Sequence, residues 1–181
     1  MEEHGSRRSA ARGGAVAEEQ RLQRGAVAAT FLLLLPVMIA AVGLVLDGSR
    51  LILVRAQAQA VADMASLAAV QEIDEQAFAR GEPLLRTAAA EATARRWLED
   101  GLRRAFGEAM ATQSTIDVVV INASASAPRR HPWSGRRLTE PTVAVRVRVP
   151  VRLGWIPGPS PVSVRVAADA SVALQPTADA R

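Results

Sequence analysis

"RGAVAATFLLLLPVMIAAVGLVLDGSRL", residues Arg24 to Leu51, decides how this chain is organised. From Ala26 to Leu46 it holds 21 consecutive residues without a charge. As a helix rising 1.5 Å per residue they reach about 31 Å, the thickness of a bilayer's hydrocarbon core. Twelve of the 21 are Leu, Ile, Val or Phe. Together these contribute about −4 to −7 kcal/mol to insertion. Pro36 would kink a soluble helix, but a spanning helix tolerates it because neighbouring groups re-satisfy the freed carbonyl. A cleaved signal is the rival reading, with small residues at Ala40, Ala41 and Gly43. The apolar run continues through Leu44, Val45 and Leu46, longer than an ordinary signal core, so 24–46 reads as a retained transmembrane helix.

Arginine placement orients the span. Arg7, Arg8, Arg12, Arg21 and Arg24 precede it, and only Arg50 and Arg55 follow closely. The positive-inside rule then puts the N-terminus in the cytoplasm and the rest of the chain outside, at the cell membrane. Residues 1–23 carry Gly, Ser, Glu and Arg without a periodic apolar face, the composition of a disordered cytoplasmic tail.

The 181 residues suffice for one domain with a modest core. Aromatics are only 3% and alanine is abundant, so that core is knit from Ala, Val and Leu. All 22 basic residues are arginine, and the net charge of +4 does not by itself call for nucleic acid. The absence of cysteine excludes disulfides, thiolate nucleophiles and Cys-based zinc sites.

Beyond the span, "SRLILVRAQAQAVADMASLAAVQEID" (Ser49 to Asp74) has no Pro or Gly and continues the helix. Leu53, Ala56, Ala60, Met64 and Leu67 recur at i+3 and i+4, so one face stays apolar. The small residues Ala56, Ala60, Ala65 and Ala69 permit close approach of another helix. Gly81 and Pro83 interrupt the pattern, and Pro83 suits the first turn of a second helix. Its stripe is Leu85, Ala88, Ala92, Leu98, Leu102, Phe106 and Ala109, with Trp97 expected in the core. Gly101 and Gly107 weaken its last turns. The two helices are expected to form a stalk hairpin over 47–110.

After Met110 the period becomes two. "STIDVVVINASAS" is apolar on both faces around Val118 to Ile121, as in a central strand. "PTVAVRVRVPVRL" alternates Val143, Val145, Val147, Val149 and Val151 with Arg146, Arg148 and Arg152. "PVSVRVAADASVAL" sets Val162, Val164 and Val166 against Arg165, and Pro150 suits an edge strand or bulge. "APRRHPWSGRRLTEP" reads as a long polar loop and "GWIPGPSP" as a turn-rich connection. The expected fold is therefore α+β. One transmembrane helix continues into an Ala-rich stalk, followed by a second helix and a small antiparallel sheet over 111–175, with 176–181 disordered.

The ordered set Arg24-Gly25-Ala26-Val27-Ala28, Pro36, Asp47-Gly48, Arg50, Gln59 and "ADMASLAA" (Ala62 to Ala69) resembles the N-terminal module of TadE/TadG-like Flp (tight adherence) pilus-assembly proteins. The resemblance covers Arg24 to Val70, about a quarter of the chain. Ala58, Val61 and Met64 depart from the family's Leu and Ala positions, and Asp47-Gly48-Ser49-Arg50 only approximates its turn. It implies a single-pass protein of a tight-adherence pilus or related secretion locus, partnered by pilus-platform or other pilin-like proteins. Gly25-Ala26 offers a bond for pilin-type processing, but Thr30 stands where true pilins carry glutamate.

At the membrane edge stand Arg24, Gly25 and Asp47. Asp47 either receives a partner's arginine or ends the span as a solvated carboxylate. For helix packing the candidates are Ala56, Ala60 and Ala65. Gln59 and Asp63 either hydrogen-bond across a helix pair or face water. Arg146, Arg148, Arg152 and Arg165 read as the solvated face of a half-buried sheet that guards its edges, or as a contact for an anionic surface. Trp133 and Trp155 lie in loops, as local packing anchors or as interface residues.

No catalytic, metal or cofactor residue is expected. His4 and His131 lack a recognisable partner, and Asp74-Glu75 and Glu99-Asp100 are adjacent pairs that diverge by about 100° on a helix. A Walker motif is impossible without lysine. The expectation is a structural, non-enzymatic accessory component of a Flp/Tad-type pilus or secretion apparatus. It would act by helix–helix association in contact with the bilayer, with no nucleic acid and no small-molecule substrate. The alternative is a membrane-tethered extracytoplasmic module that binds an anionic envelope polymer.

Overall fold

The computed structural model describes residues 3–155 and 161–172, with side chains from Thr30 onward. It is an α+β protein with a long N-terminal apolar helix, further helices and a small antiparallel sheet. Two compact units make it up: Met1–Asp47 with Gly154–Ile156, and Gly48–Leu153 with Pro157–Arg181. The expected tail at 176–181 lies outside the described residues.

Helix α1 is a single element, Glu3–Ala69, with Pro36 inside it. Its stretch Thr30–Ala69 is long and apolar enough to cross a membrane. Phe31, Leu32, Leu33, Val37 and Met38 all face outward, a surface that lipid would cover. The helix takes in residues 3–23, expected to be a disordered tail. No proline precedes Pro36, and each of the few glycines there costs a helix only about 1 kcal/mol.

Past Ala69 the chain turns. Asp74 caps the short helix α2 (Glu75–Ala79), its carboxylate accepting the N–H groups of Gln76 and Ala77 at 3.0 Å each. Gly81, at φ +81°, closes that turn in a conformation glycine adopts at no steric cost. Helix α3 is Thr87–Phe106; Gly107, also at φ +81°, ends it, and α4 (Glu108–Gln113) follows. Gly101 does more than weaken α3. A Cβ there would lie 2.6 Å from a Val61 methyl, so the glycine is what lets α3 close on α1.

The strands are β1 (Thr115–Ile121), β2 (Arg129–Arg130), β3 (Arg137–Leu138), β4 (Thr142–Val151) and β5 (Val162–Ser171). Three form one antiparallel sheet in the order β1-β4-β5, and β2 pairs with β3. The centre is therefore β4, and β1, expected as the central strand, is an edge. Its second apolar row is explained by register. Val119 and Ile121 lie beside Ala144 and Thr142, both fully buried on the face away from the helices. Pro150 pairs with Ser163 of β5 but lies beyond Arg148, the last residue of β4 opposite β1. Its missing N–H thus falls where β4 has only one neighbour.

Val143, Val145, Val147, Val149 and Val151 are completely buried. Each such burial contributes about 1.5–3 kcal/mol relative to exposure. They join Val118, Val166 and Ala168 in one cluster with Val54, Ala58, Ala62, Ala65 and Ala69 of α1 and Ala90, Ala94, Leu98 and Leu102 of α3. The expected stalk and sheet therefore share one core, rather than forming a hairpin over 47–110 and a head over 111–175. An alanine-rich helix has little core of its own, so it completes itself on the valine face of the sheet.

The second helix is rotated from its expected stripe. Ala88 and Ala92 are exposed while Ala90, Ala94, Leu98 and Leu102 are buried, and Trp97 is 43% exposed rather than core. Asn122, just past β1, pins the loop before α3. Its side chain accepts the Leu85 N–H at 2.8 Å and donates to the Leu85 carbonyl at 3.0 Å, imitating a strand partner.

Candidate membrane edge and packing surfaces

Asp47 sits at the end of the apolar run, yet only 3% of it is exposed. Its carboxylate accepts the Gly154 N–H at 3.1 Å and the Trp155 N–H at 2.9 Å. Such charge-assisted bonds satisfy the lone pairs of a buried carboxylate, which would otherwise be costly at this position. The β4–β5 connection therefore returns to α1 here, and Asp47 is not the solvated carboxylate that was the simpler expectation. One helical turn inward, Gly43 is buried beneath the side chain of Trp155. A Cβ on Gly43 would come within 2.7 Å of the Trp155 Cβ and 2.8 Å of its Cγ. No side chain other than glycine's hydrogen fits under that indole. The environment of Arg24 and Gly25, beyond their place in α1, lies outside what the structure describes.

The part of α1 after Asp47 is apolar on two faces. Val54, Ala58, Ala62, Ala65 and Ala69 enter the core. Leu53, Ala56, Ala60, Met64 and Leu67, the stripe visible in the sequence, stay exposed. Of the expected packing alanines, Ala65 is used inside the chain and Ala56 and Ala60 are left open. A groove of about 370 Å³ runs beside the exposed stripe, lined by Ala60, Val61, Met64, Trp97, Gly101 and Arg104. Gln59 and Asp63 are engaged within the chain. The Gln59 amide donates to Asp63 Oδ1 at 2.8 Å and to the Ala167 carbonyl of β5 at 3.0 Å.

The arginine row is interrupted. Trp133 covers Arg146, whose guanidinium carbon lies 4.3 Å from the ring centroid, within range of a cation–π contact. Asp117 stands opposite Arg146 in register, and Asp169 pairs with Arg136 at 2.6 Å. Arg148 faces Arg165 across β4 and β5, and its Nε is the one buried side-chain nitrogen or oxygen without a partner among the described residues. Arg152 and Arg165 are exposed.

The polar loop is built around His131, which is buried. Its Nδ1 accepts the N–H groups of Trp133 and Ser134 at 3.3 and 3.2 Å, and Gly135 turns at φ +69°. The ring meets Trp133 edge to face at 5.5 Å. The sequence reads here as a polar loop because its organising group is a single histidine, which accepts the N–H groups two and three positions further on.

Among the described residues these features fit a membrane protein, with one candidate spanning helix and an α+β arrangement of further helices and a small sheet. Residues 25–72 match the family model described as "Putative Flp pilus-assembly TadE/G-like". That segment is the one whose residues resemble the N-terminal module, and it contains Gly43, Asp47, Gln59 and Asp63. No curated protein and no solved structure gives a significant match. The family match and the apolar helix support a pilus-related membrane component, and the matched description is one of assembly rather than catalysis.

Proposed function

We propose that the chain is a single-pass structural component of a Flp/Tad-type pilus or related secretion apparatus, with its N-terminus in the cytoplasm and its α+β domain outside. It acts by helix–helix association with pilus-platform or other pilin-like proteins. The observation that carries this reading is the second apolar face of α1. Leu53, Met64 and Leu67 are each more than half exposed on the same helix as the span. Such a stripe beside small Ala56 and Ala60 is a surface that large side chains of a neighbouring helix can enter.

The cysteine-free chain makes two tests direct. Ser134→Cys should react with a membrane-impermeant maleimide in intact cells and Ser9→Cys should not; the reverse would overturn the orientation. Met64→Cys should be captured by a bifunctional thiol reagent in a complex with a pilus-assembly protein. Capture of none, in cells that assemble the apparatus, would remove the proposed mechanism.

A second reading, an extracytoplasmic module for an anionic envelope polymer, draws support from Arg148 facing Arg165 across β4 and β5 and from the exposure of Arg152 and Arg165. Salt-sensitive retention of the chain on such a polymer, lost in Arg148→Ala with Arg165→Ala, is its expected sign.

A further inference from the structure

We propose that Trp155 is a second point of membrane contact, an indole held at the boundary between headgroups and acyl chains of the phospholipid bilayer. The inference rests on the reading of α1 as a retained span, and adds to it a lipid-binding residue more than a hundred positions away in the chain. The depth follows from the helix. Gly43 lies inside the uncharged run, about 6 Å along the axis from Asp47. The Trp155 side chain rests on Gly43, so the indole stands beside the outermost turn of the apolar segment.

Two further observations point to lipid as what surrounds it. Trp155 is 57% exposed, and the adjoining Val42, Leu44, Val45 and Leu46 of the span are exposed as well. An exposed indole at this height has the same surroundings as those side chains. Tryptophan is also the residue that prefers this layer, because its ring is apolar and its N–H can reach headgroup oxygens. The local geometry fixes the position rather than merely permitting it. Asp47 holds the backbone at Gly154 and Trp155 through two hydrogen bonds, and the missing side chain of Gly43 forms the notch for the ring. Asp47 thereby acts as a positioning residue for Trp155.

The span itself contains no tryptophan, which makes fluorescence decisive. The full chain with Trp97→Phe and Trp133→Phe, reconstituted in phosphatidylcholine vesicles, reports on Trp155 alone. The expected result is blue-shifted emission, lost on including phosphatidylcholine brominated near the top of its acyl chains and insensitive to aqueous iodide. Adding Gly43→Leu should unseat the ring, shift emission to the red and expose it to iodide, while the protein still floats with the vesicles. Iodide-sensitive, bromolipid-insensitive emission from floating protein overturns the proposal and leaves the span intact. Emission shielded from both quenchers also overturns it, since protein rather than lipid then covers the ring. Protein that fails to float overturns the span reading and this proposal with it.

Discussion

The two long faces of α1 after Asp47 are built from different residues. The face in the core is Val54, Ala58, Ala62, Ala65 and Ala69, small side chains that admit the sheet and α3 closely. The outer face is Leu53, Ala56, Ala60, Met64 and Leu67, in which three large side chains project from between small ones. An inner face without large side chains allows close backbone approach, which is why contact is already made there. Large exposed residues mark where the described residues leave the helix uncovered. The pair separates what holds the domain together from what is available to a partner.

The comparison can be broken at several strengths. Leu98→Ala truncates one of the two largest fully buried side chains of the shared core and should cost about 2–5 kcal/mol in denaturant unfolding, since the surrounding packing collapses only partly into the gap. Ala62→Leu forces a large side chain into a position with no exposure and should cost about 1–3 kcal/mol. A silent Ala62→Leu would mean that the inner face is looser than its burial implies. Gln59→Ala removes the bond to the Ala167 carbonyl at the border of the two faces, with an expected loss of about 1 kcal/mol. On the outer face, Met64→Ser should change unfolding by less than about 0.5 kcal/mol while weakening capture of a pilus-assembly partner. Equal effects of Met64→Ser and Ala62→Leu on stability would erase the distinction between the faces.

The membrane edge differs from the arginine face in the same way. Asp47 is committed to two backbone N–H groups, and replacing it by leucine should speed amide exchange at Gly154 and Trp155 without changing exchange in the centre of β4. Arg146 beneath Trp133 contributes less. Trp133→Ala should cost about 0.5–1 kcal/mol, the scale of one cation–π contact near a surface.

Much of this was legible in the residues because periodicity is a local signal. The uncharged run, the valine alternation of β4 and β5, and the break at Gly81 and Pro83 each depend on neighbours a few positions apart. The choice between the two apolar faces of α1 was not legible, because both repeat at helical spacing and only the sheet's position decides which one is covered. The same holds for α3, whose buried row begins at Ala90 rather than Ala88. Gly101 looked like a weak point in a helix; its reason is the methyl of Val61, forty residues away.

By itself the sequence determined that a membrane-length helix leads into an α+β arrangement, since hydrophobic length and period are properties of consecutive residues. Only the tertiary structure decided that Asp47 receives the Gly154–Trp155 backbone, that β4 rather than β1 is central, and that the stalk alanines close a core with the valine sheet. Those outcomes depend on which distant segments meet, and a hydrogen bond or a buried methyl carries no mark in the sequence of the partner more than a hundred residues away.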